Sequence, residues 1–426
     1  MTRELKQKIS FTIIILVIIQ FISNIPTYGI NKEVISAFIN SDTGNMLSFF
    51  SMFSGNAFYQ MSMFVLGISP YITASIITQL LRTAFPSFDD MAKDGKVGEK
   101  RFKAITFILS FFLAIGQSIP IVIGFANYGL LIENTTKYKV IVTILLILGS
   151  VILMLLSSLI DKKGIGKGMS LILLLNIISR LPNDIKALYA YFIQGKSIFM
   201  IILAVIIAAL IFTFTMIITL MLQNCEDRIQ TSYASRRKGL AKKANDYIPL
   251  KVNIAGVMPI IFTSSIFQTY TMIVTFLNID KESIFYKIAN MLNTANWFQL
   301  DKPIYNLGFL IYVALIIFFN IFYSQVTFDT EKITKNLKDN DASIIGIRPG
   351  NETKEFLDKK LFKASIVGAV GLIIIATIPI IIASIFGISS LALGGTSIII
   401  LCSTIIDTYR AIHSEKLENV TSSFLF

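Results

Sequence analysis

Residues 141–156 read Ile141-Val-Thr-Ile-Leu-Leu-Ile-Leu-Gly-Ser-Val-Ile-Leu-Met-Leu-Leu156 and contain no charged side chain. The apolar residues do not alternate with polar ones, as they would in the ~10-residue strands of a membrane β-barrel. Uncharged stretches of the same kind occur at Ile13–Ile19 and Leu372–Ile382. A helix needs about 20 apolar residues to cross about 30 Å of hydrocarbon. The pattern therefore predicts an all-α, polytopic membrane protein.

The composition of the whole chain agrees with this class. Of 426 residues, 54% are hydrophobic and 15% are charged, whereas a soluble domain carries about 25% charged residues. Residues 1–8 and the apolar run after them resemble a signal peptide without a small-x-small cleavage site, so we expect a retained first span. We predict ten spans, at residues 9–25, 60–81, 104–125, 139–160, 169–188, 198–222, 253–276, 304–326, 364–386 and 394–409.

Positive charge is concentrated in alternate loops. The loops at 1–8, 82–103, 161–167, 224–251, 327–363 and 410–426 contain 29 of the 38 Lys and Arg residues and 18 of the 26 acidic residues. Because Lys and Arg favour the cytoplasmic side of a membrane protein, ten spans place both chain termini in the cytoplasm. Two of these loops, 224–251 and 327–363, are longer than a connection requires. They are interpreted either as a solvated rim beside anionic lipid or as a docking surface for a partner.

The segment at 44–59 is apolar but too short to span, and it contains Gly44 and Gly55. It is typical of a re-entrant or half-buried helix, which is tolerated at membrane depth only against protein or a water-filled cavity. The alternative is a helix lying on the outer leaflet.

Catalytic and ion-relay chemistry is not visible in the sequence. Arg180, Asp407 and Arg410 lie near span ends, where a charge is less costly than at the bilayer centre. A Walker A loop is excluded at residues 164–168, because Gly168 follows Lys167 where Ser or Thr is needed. The cysteines, Cys225 and Cys402, allow no zinc site and are given no role. We expect no enzyme activity, metal or cofactor.

Hydroxyl and amide side chains are concentrated in the second and seventh spans. They are Thr73, Ser75, Thr78, Gln79, Thr263, Ser264, Ser265 and Gln268. Such groups make ordinary interhelical hydrogen bonds of about 0.6 kcal/mol in many bundles. Alternatively they form a mildly polar seam that opens and recloses.

Six segments resemble, in order, those of the SecY family, the pore subunits of the bacterial Sec protein-conducting channel. They are Ser54-Gly-Asn-Ala-Phe58, Leu66-Gly-Ile-Ser-Pro-Tyr-Ile-Thr-Ala-Ser-Ile-Ile-Thr-Gln-Leu-Leu81, Gly164-Ile-Gly-Lys-Gly-Met-Ser170, Ile248-Pro-Leu-Lys-Val-Asn-Ile-Ala-Gly-Val-Met-Pro259, Gly346-Ile-Arg-Pro-Gly350 with Thr353, and Gly394-Gly-Thr-Ser397. The resemblance implies two inverted, pseudo-symmetric five-helix halves, residues 1–190 and 195–426, around an hourglass pore.

The same resemblance implies roles for individual residues. A plug would contain Met46, Leu47, Phe49, Phe50, Met52 and Phe53, and a lateral gate would contain Thr73, Thr78, Gln79, Thr263, Ser264 and Gln268. An aliphatic ring would seal the pore by excluding water, and it would consist of Ile68, Ile72, Met169, Leu173, Ile261 and Ile400. The motor or ribosome would dock on Arg348, Arg236, Arg237 and Lys238.

The expected function is a channel that moves unfolded preproteins across the bacterial plasma membrane and releases hydrophobic segments sideways into lipid. The expected partners are the small subunits SecE and SecG, the ATPase SecA or the ribosome, preproteins with signal sequences, and membrane lipid, but not DNA. Two alternatives stay open. One is an accessory paralogue that exports a narrow set of substrates, and the other is a secondary transporter of small solutes.

Overall fold

The computed structural model describes residues 3–31, 54–192, 198–233, 247–277, 279–280, 282–298, 303–386 and 389–423. Within these ranges the chain is mostly helical. The helices are α1 (Arg3–Ser23), α2 (Asn56–Tyr59), α3 (Ser69–Ala84), α4 (Pro86–Lys93), α5 (Gly95–Asn127), α6 (Thr136–Lys163), α7 (Gly168–Phe192), α8 (Ile198–Asn224), α9 (Met258–Phe276), α10 (Ile284–Leu292), α11 (Asn306–Thr327), α12 (Thr330–Asp339), α13 (Asn351–Phe386) and α14 (Ser389–Ser423).

The predicted spans coincide with the long helices. Each overlaps one of α1, α3, α5, α6, α7, α8, α9, α11, α13 and α14. Within the described ranges, six helices are long and apolar enough to cross a membrane by length and composition. The prediction of a helical, multi-span protein is confirmed, and the inverted relation of residues 1–190 to residues 195–426 stays a prediction.

The second predicted span differs from the structure over its first nine residues. Residues 60–68 form turns rather than helix, with positive φ angles of 48° at Met61 and 57° at Gly67. Pro70 then lies in the first turn of α3, where its missing N–H costs nothing. The turns are protected from lipid, since Met61, Val65 and Leu66 are all 0% exposed.

Two helices extend well beyond their predicted spans. The span predicted at 364–386 belongs to α13, which already begins at Asn351. The span predicted at 394–409 belongs to α14, which continues to Ser423. Helical structure therefore continues into segments that the charge pattern assigned to loops.

The two large basic loops are joined by a small antiparallel sheet, which the sequence analysis did not anticipate. Strands β1 (Glu226–Tyr233) and β2 (Tyr247–Lys251) come from the first loop, and β3 (Ala342–Ile344) comes from the second. The strand order is β2-β1-β3, with Glu226 opposite Lys251 and Thr231 opposite Ile344. Pro249 lies in the edge strand β2, where a missing N–H is tolerated.

The sheet packs on helices and creates a separate hydrophobic core. Ile229 of β1 and Ile344 of β3 are buried on the side of the sheet that faces the helices. They pack with Leu337 of α12 and with Leu357 and Leu361 of α13. We call the unit formed by β1–β3, α12 and residues 351–361 the platform. It is built from both loops.

A larger core lies among the spans. Its buried side chains come from many elements, including Ile19 of α1, Leu153 of α6, Ile316 of α11 and Ile375 of α13. The helices therefore converge on one apolar centre rather than packing only in sequential pairs.

We predict that Leu357→Ala loosens the platform, because Leu357 is 0% exposed at the point where α13 meets the sheet. Removing a buried leucine side chain costs about 2–5 kcal/mol. Hydrogen–deuterium exchange should increase in β1 and β3 together.

The control is Val367→Ala on the same helix, at a residue 59% exposed. Exchange in the strands that is equal in the two variants would contradict a shared core.

Candidate functional site

The six residues predicted to form a ring lie in one apolar cluster. Five of them are buried, with exposed fractions of 0% for Ile68 and Ile72, 2% for Leu173 and Ile261, and 1% for Ile400. The sixth, Met169, is partly buried and packs against the same cluster. They come from the turn before α3 and from α3, α7, α9 and α14. All six therefore belong to the large apolar cluster among the spans, and their arrangement as a ring stays a prediction.

The start of α3 sets the position of its ring residues. Ile68 follows the left-handed Gly67 and is the residue that precedes the helix. Its carbonyl accepts a hydrogen bond from Ile72 N at 3.1 Å. The side chains of Ile68 and Ile72 are one helical turn apart and project on the same side.

The start of α7 is set by residues that the sequence analysis did not assign. Gly168 N donates to Asp161 Oδ1 at 2.7 Å, which caps the helix. A Cβ on Gly168 would lie 2.2 Å from Ser157 O, so only glycine allows α7 to begin this close to α6. Thr12 Oγ1 of α1 accepts from Ile165 N at 3.0 Å. The 164–168 segment thus orients Met169 and Leu173 rather than binding a phosphate.

The polar residues predicted for the gate mostly bond within their own helices. Thr73 Oγ1 donates to Ser69 O at 3.1 Å, and Thr263 Oγ1 donates to Pro259 O at 2.9 Å. Gln79 Nε2 donates to Ser75 Oγ at 2.9 Å. Thr78, Ser264 and Gln268 are buried, at 1%, 1% and 2% exposure.

The seam on α9 faces two helices, α3 and α5, and α5 was not predicted to take part. Gln117 Nε2 of α5 donates to Thr269 Oγ1 of α9 at 3.4 Å. Phe125 and Phe276 meet edge to face with ring centroids 5.8 Å apart. The amide of Gln117 inside an apolar span could have indicated this contact from the sequence. No sequence feature indicated the pairing of Phe125 with Phe276.

Polar atoms along this seam are left without partners. Among the described residues, Gln79 Oε1, Gln117 Oε1 and Ser265 Oγ are buried and accept no hydrogen bond. Each buried, unsatisfied polar atom costs about 1–3 kcal/mol. These three atoms therefore reduce the stability gained by burying the seam.

Arg348 is exposed in the turn between β3 and α13. Gly346 and Gly350 flank it with φ angles of +81° and +111°, and Thr353 Oγ1 donates to Arg348 O at 2.8 Å. Among the described residues, the Arg348 guanidinium and the amines of Lys332 and Lys335 on α12 form no ion pair. The platform thus presents free positive charge on a rigid turn and helix.

Several predicted site residues lie outside the described residues. These are the plug residues Met46, Leu47, Phe49, Phe50, Met52 and Phe53, and the docking residues Arg236, Arg237 and Lys238.

A second group of cations lies where the platform meets the spans. Desolvation lowers the pKa of the Lys251 amine, and the positive charges of Arg410 and Lys167 lower it further, while Asp407 opposes them. Arg410 Nη2 donates to Gln223 O at 3.2 Å and to Asn224 Oδ1 at 2.9 Å. Lys251, Arg410 and Lys167 thus lie close enough to interact where the platform meets the spans, with Asp407 and Glu226 in the same neighbourhood.

Among the residues that the structure describes, no three His, Cys, Asp or Glu side chains lie close enough together to hold a metal ion.

The structure thus combines an apolar centre, a polar seam and a charged platform in a multi-span helical protein. The sequence profile of the SecY family matches residues 62–409. The protein translocase subunit SecY of Buchnera aphidicola is 33% identical over 430 residues, which covers 100% of this chain and 95% of the relative. The protein of the same description from Staphylococcus epidermidis is 33% identical and covers 99% of this chain and 97% of the relative. The chain belongs to the SecY family and is a non-enzymatic, protein-conducting channel subunit of a protein translocase.

Solved structures show the same fold. A structure described as that of a protein conducting channel matches with a TM-score of 0.69 at 18% identity, and the match covers 97% of this chain and 93% of that one. Sec61 in a canine ribosome–channel complex from the endoplasmic reticulum matches with a TM-score of 0.65 at 19% identity, covering 97% and 93%.

We predict that Gly124→Ala separates α5 from α9. A Cβ on Gly124 would lie 1.9 Å from Cδ1 of Phe276, so the helices must shift, at a cost of about 1–3 kcal/mol. Cysteines placed at Gln117 and Thr269, with Cys225 and Cys402 replaced by serine, should then form a disulfide more slowly.

Gly116→Ala on the same helix is the matched control, because a Cβ there would have nothing within 4 Å. Equal disulfide rates in the two variants would show that the close contact at Gly124 does not hold the seam together.

Proposed function

We propose that this channel subunit carries unfolded preproteins with signal sequences across the bacterial plasma membrane. The observation that supports this most directly is the convergence of Ile68, Ile72, Leu173, Ile261 and Ile400 in one buried cluster. An apolar constriction excludes water and ions but widens around a polypeptide of varied sequence. In this proposal these residues, with Met169, form the seal of the resting pore.

The seam between α9 and the helices α3 and α5 is proposed as the lateral exit. A hydrophobic segment that enters the seam replaces weak polar contacts with apolar ones, and it reaches lipid without crossing the headgroup region. The unsatisfied atoms of Gln79, Gln117 and Ser265 support this role, because opening the seam breaks few hydrogen bonds.

The platform is proposed as the docking surface for the ATPase SecA, the ribosome, or both in turn. Its free guanidinium and amines suit carboxylates of a motor protein or phosphates of RNA. Two structural neighbours are described as ribosome–channel assemblies, the canine Sec61 complex and the yeast Ssh1 complex bound to the 80S ribosome. SecE and SecG are proposed as the small membrane companions.

The proposed orientation places the platform and both termini in the cytoplasm. The 29 Lys and Arg residues of the predicted cytoplasmic loops support it, since such residues are retained on that side. Docking and topology then use the same positive surface.

Arg348→Glu should block export, because charge reversal at a docking arginine costs about 2 kcal/mol or more, roughly 30-fold in affinity. Export of a preprotein into vesicles and binding of SecA or ribosomes to them are the measurements. Export at the normal rate would exclude the docking role of Arg348.

Arg348→Lys and Lys137→Glu serve as controls. The lysine variant keeps the charge but loses the planar fork, so it should retain partial binding. Lys137 lies at the end of α6 remote from the platform, so reversal of its charge should leave export unchanged while matching the change in net charge.

Ile68→Ser combined with Ile400→Ser should relax the seal, since two hydroxyl groups allow water to enter the constriction. The expected result is an ion leak in vesicles and export of preproteins with weak signal sequences. Ile405→Ser, on α14 like Ile400 but 51% exposed, is the control. A double variant as tight as this control would show that these residues do not form the seal.

A further inference from the structure

Helix α10 is a nine-residue helix between α9 and α11, at the end of these helices opposite the platform. Ser283 Oγ caps it by accepting from Phe285 N at 3.3 Å. It packs against α9, against α11 and against the turn at 303–305.

Side-chain contacts hold α10 rigidly in this position. Tyr270 OH of α9 donates to Phe285 O at 3.2 Å, and Trp297 Nε1 donates to Met291 O at 2.7 Å. A Cβ on Gly308 of α11 would lie 1.8 Å from Met291 O, so this approach requires glycine. Ala289 is 0% exposed on the side that faces the protein.

Two large apolar side chains are exposed at the start of α10. Ile284 is 72% exposed and Phe285 is 59% exposed. At 3.6 residues per turn, the exposed Lys287 lies about 160° around the helix from Phe285 and about 60° from Ile284. The exposed surface of α10 therefore has an apolar part, formed by Ile284 and Phe285, with a charged side chain next to it on the Ile284 side.

This apolar part lies next to a membrane span. Ile304 in the adjoining turn is 70% exposed, and Leu307 and Leu310 at the start of α11 are 51% and 60% exposed. Helix α11 is among those long and apolar enough to cross the bilayer, so its exposed apolar side chains face acyl chains. Helix α10 contacts the turn that contains Ile304, so its exposed apolar residues lie next to this lipid-facing part of α11.

We propose that α10 lies in the interface of the leaflet remote from the platform, with Ile284 and Phe285 inserted among the acyl chains. Short amphipathic helices bind in this way when an apolar side meets the boundary between headgroups and acyl chains. Lipid is favoured over a protein partner because the exposed apolar residues lie next to the lipid-facing part of α11. Through Tyr270, the bound lipid fixes the end of α9, the helix that also forms the seam.

The experiment uses the full chain in phosphatidylcholine vesicles, with Cys225 and Cys402 replaced by serine. An environment-sensitive fluorophore is attached to a single cysteine at Ile284, Phe285, Lys287 or Leu310. Lipids brominated in the upper acyl chain should quench the labels at 284 and 285 as strongly as the label at 310. Aqueous iodide should quench the label at 287 most.

Two results would overturn the proposal. Labels at 284 and 285 that iodide quenches as readily as the label at 287 would place this side in water. Labels shielded from both quenchers would show that protein, such as a second copy of the chain, covers it. The label at position 310 controls for misfolding, because a misfolded sample would show no quenching of that label by the brominated lipids.

Discussion

Every backbone N–H and C=O within the hydrocarbon must find a partner inside the protein, and this constraint determines where the ring residues lie. Residues 60–68 satisfy it without a helix, through turns such as Val65 N to Ser62 O at 3.0 Å and Gly67 N to Phe64 O at 2.8 Å. Burial among other helices makes those turns possible. Because they reach the protein centre, α3 begins there, and Ile68 and Ile72 enter the apolar cluster.

The long helices could be predicted because length and hydropathy dominate in a membrane. The ends of these helices could not be predicted, since hydropathy indicates which residues lie in the hydrocarbon and not where the helix begins or stops. Helix α13 begins outside the apolar run, on residues that support helix in water, including the pair Glu355–Lys359 at 2.8 Å. The ring residues could be predicted only from the family resemblance, because the sequence alone does not distinguish an isoleucine in the central cluster from any other isoleucine in a span.

The sheet, and the contact of α9 with α5 in the seam, were harder to predict from the sequence. Strand β1 is mostly polar, and its partner β3 has only three residues and lies more than a hundred residues further along the chain, so local patterning does not indicate the pairing. The seam contact at Gly124 depends on a missing side chain, which becomes informative only when Phe276 lies opposite it. The platform is held by an apolar core, whereas the seam combines apolar contacts such as Phe125–Phe276 with buried polar atoms that lack partners.

Helix α13 is 36 residues long, about 54 Å at 1.5 Å per residue, which is almost twice the thickness of the hydrocarbon. It starts directly after the Arg348 turn, and its first proline is Pro379, 28 residues on. Up to that point it forms one continuous rod from the platform into the spans. A force applied at the turn would tilt or push this rod as a lever, so mechanical work done outside the membrane would reach its interior without an intervening flexible joint.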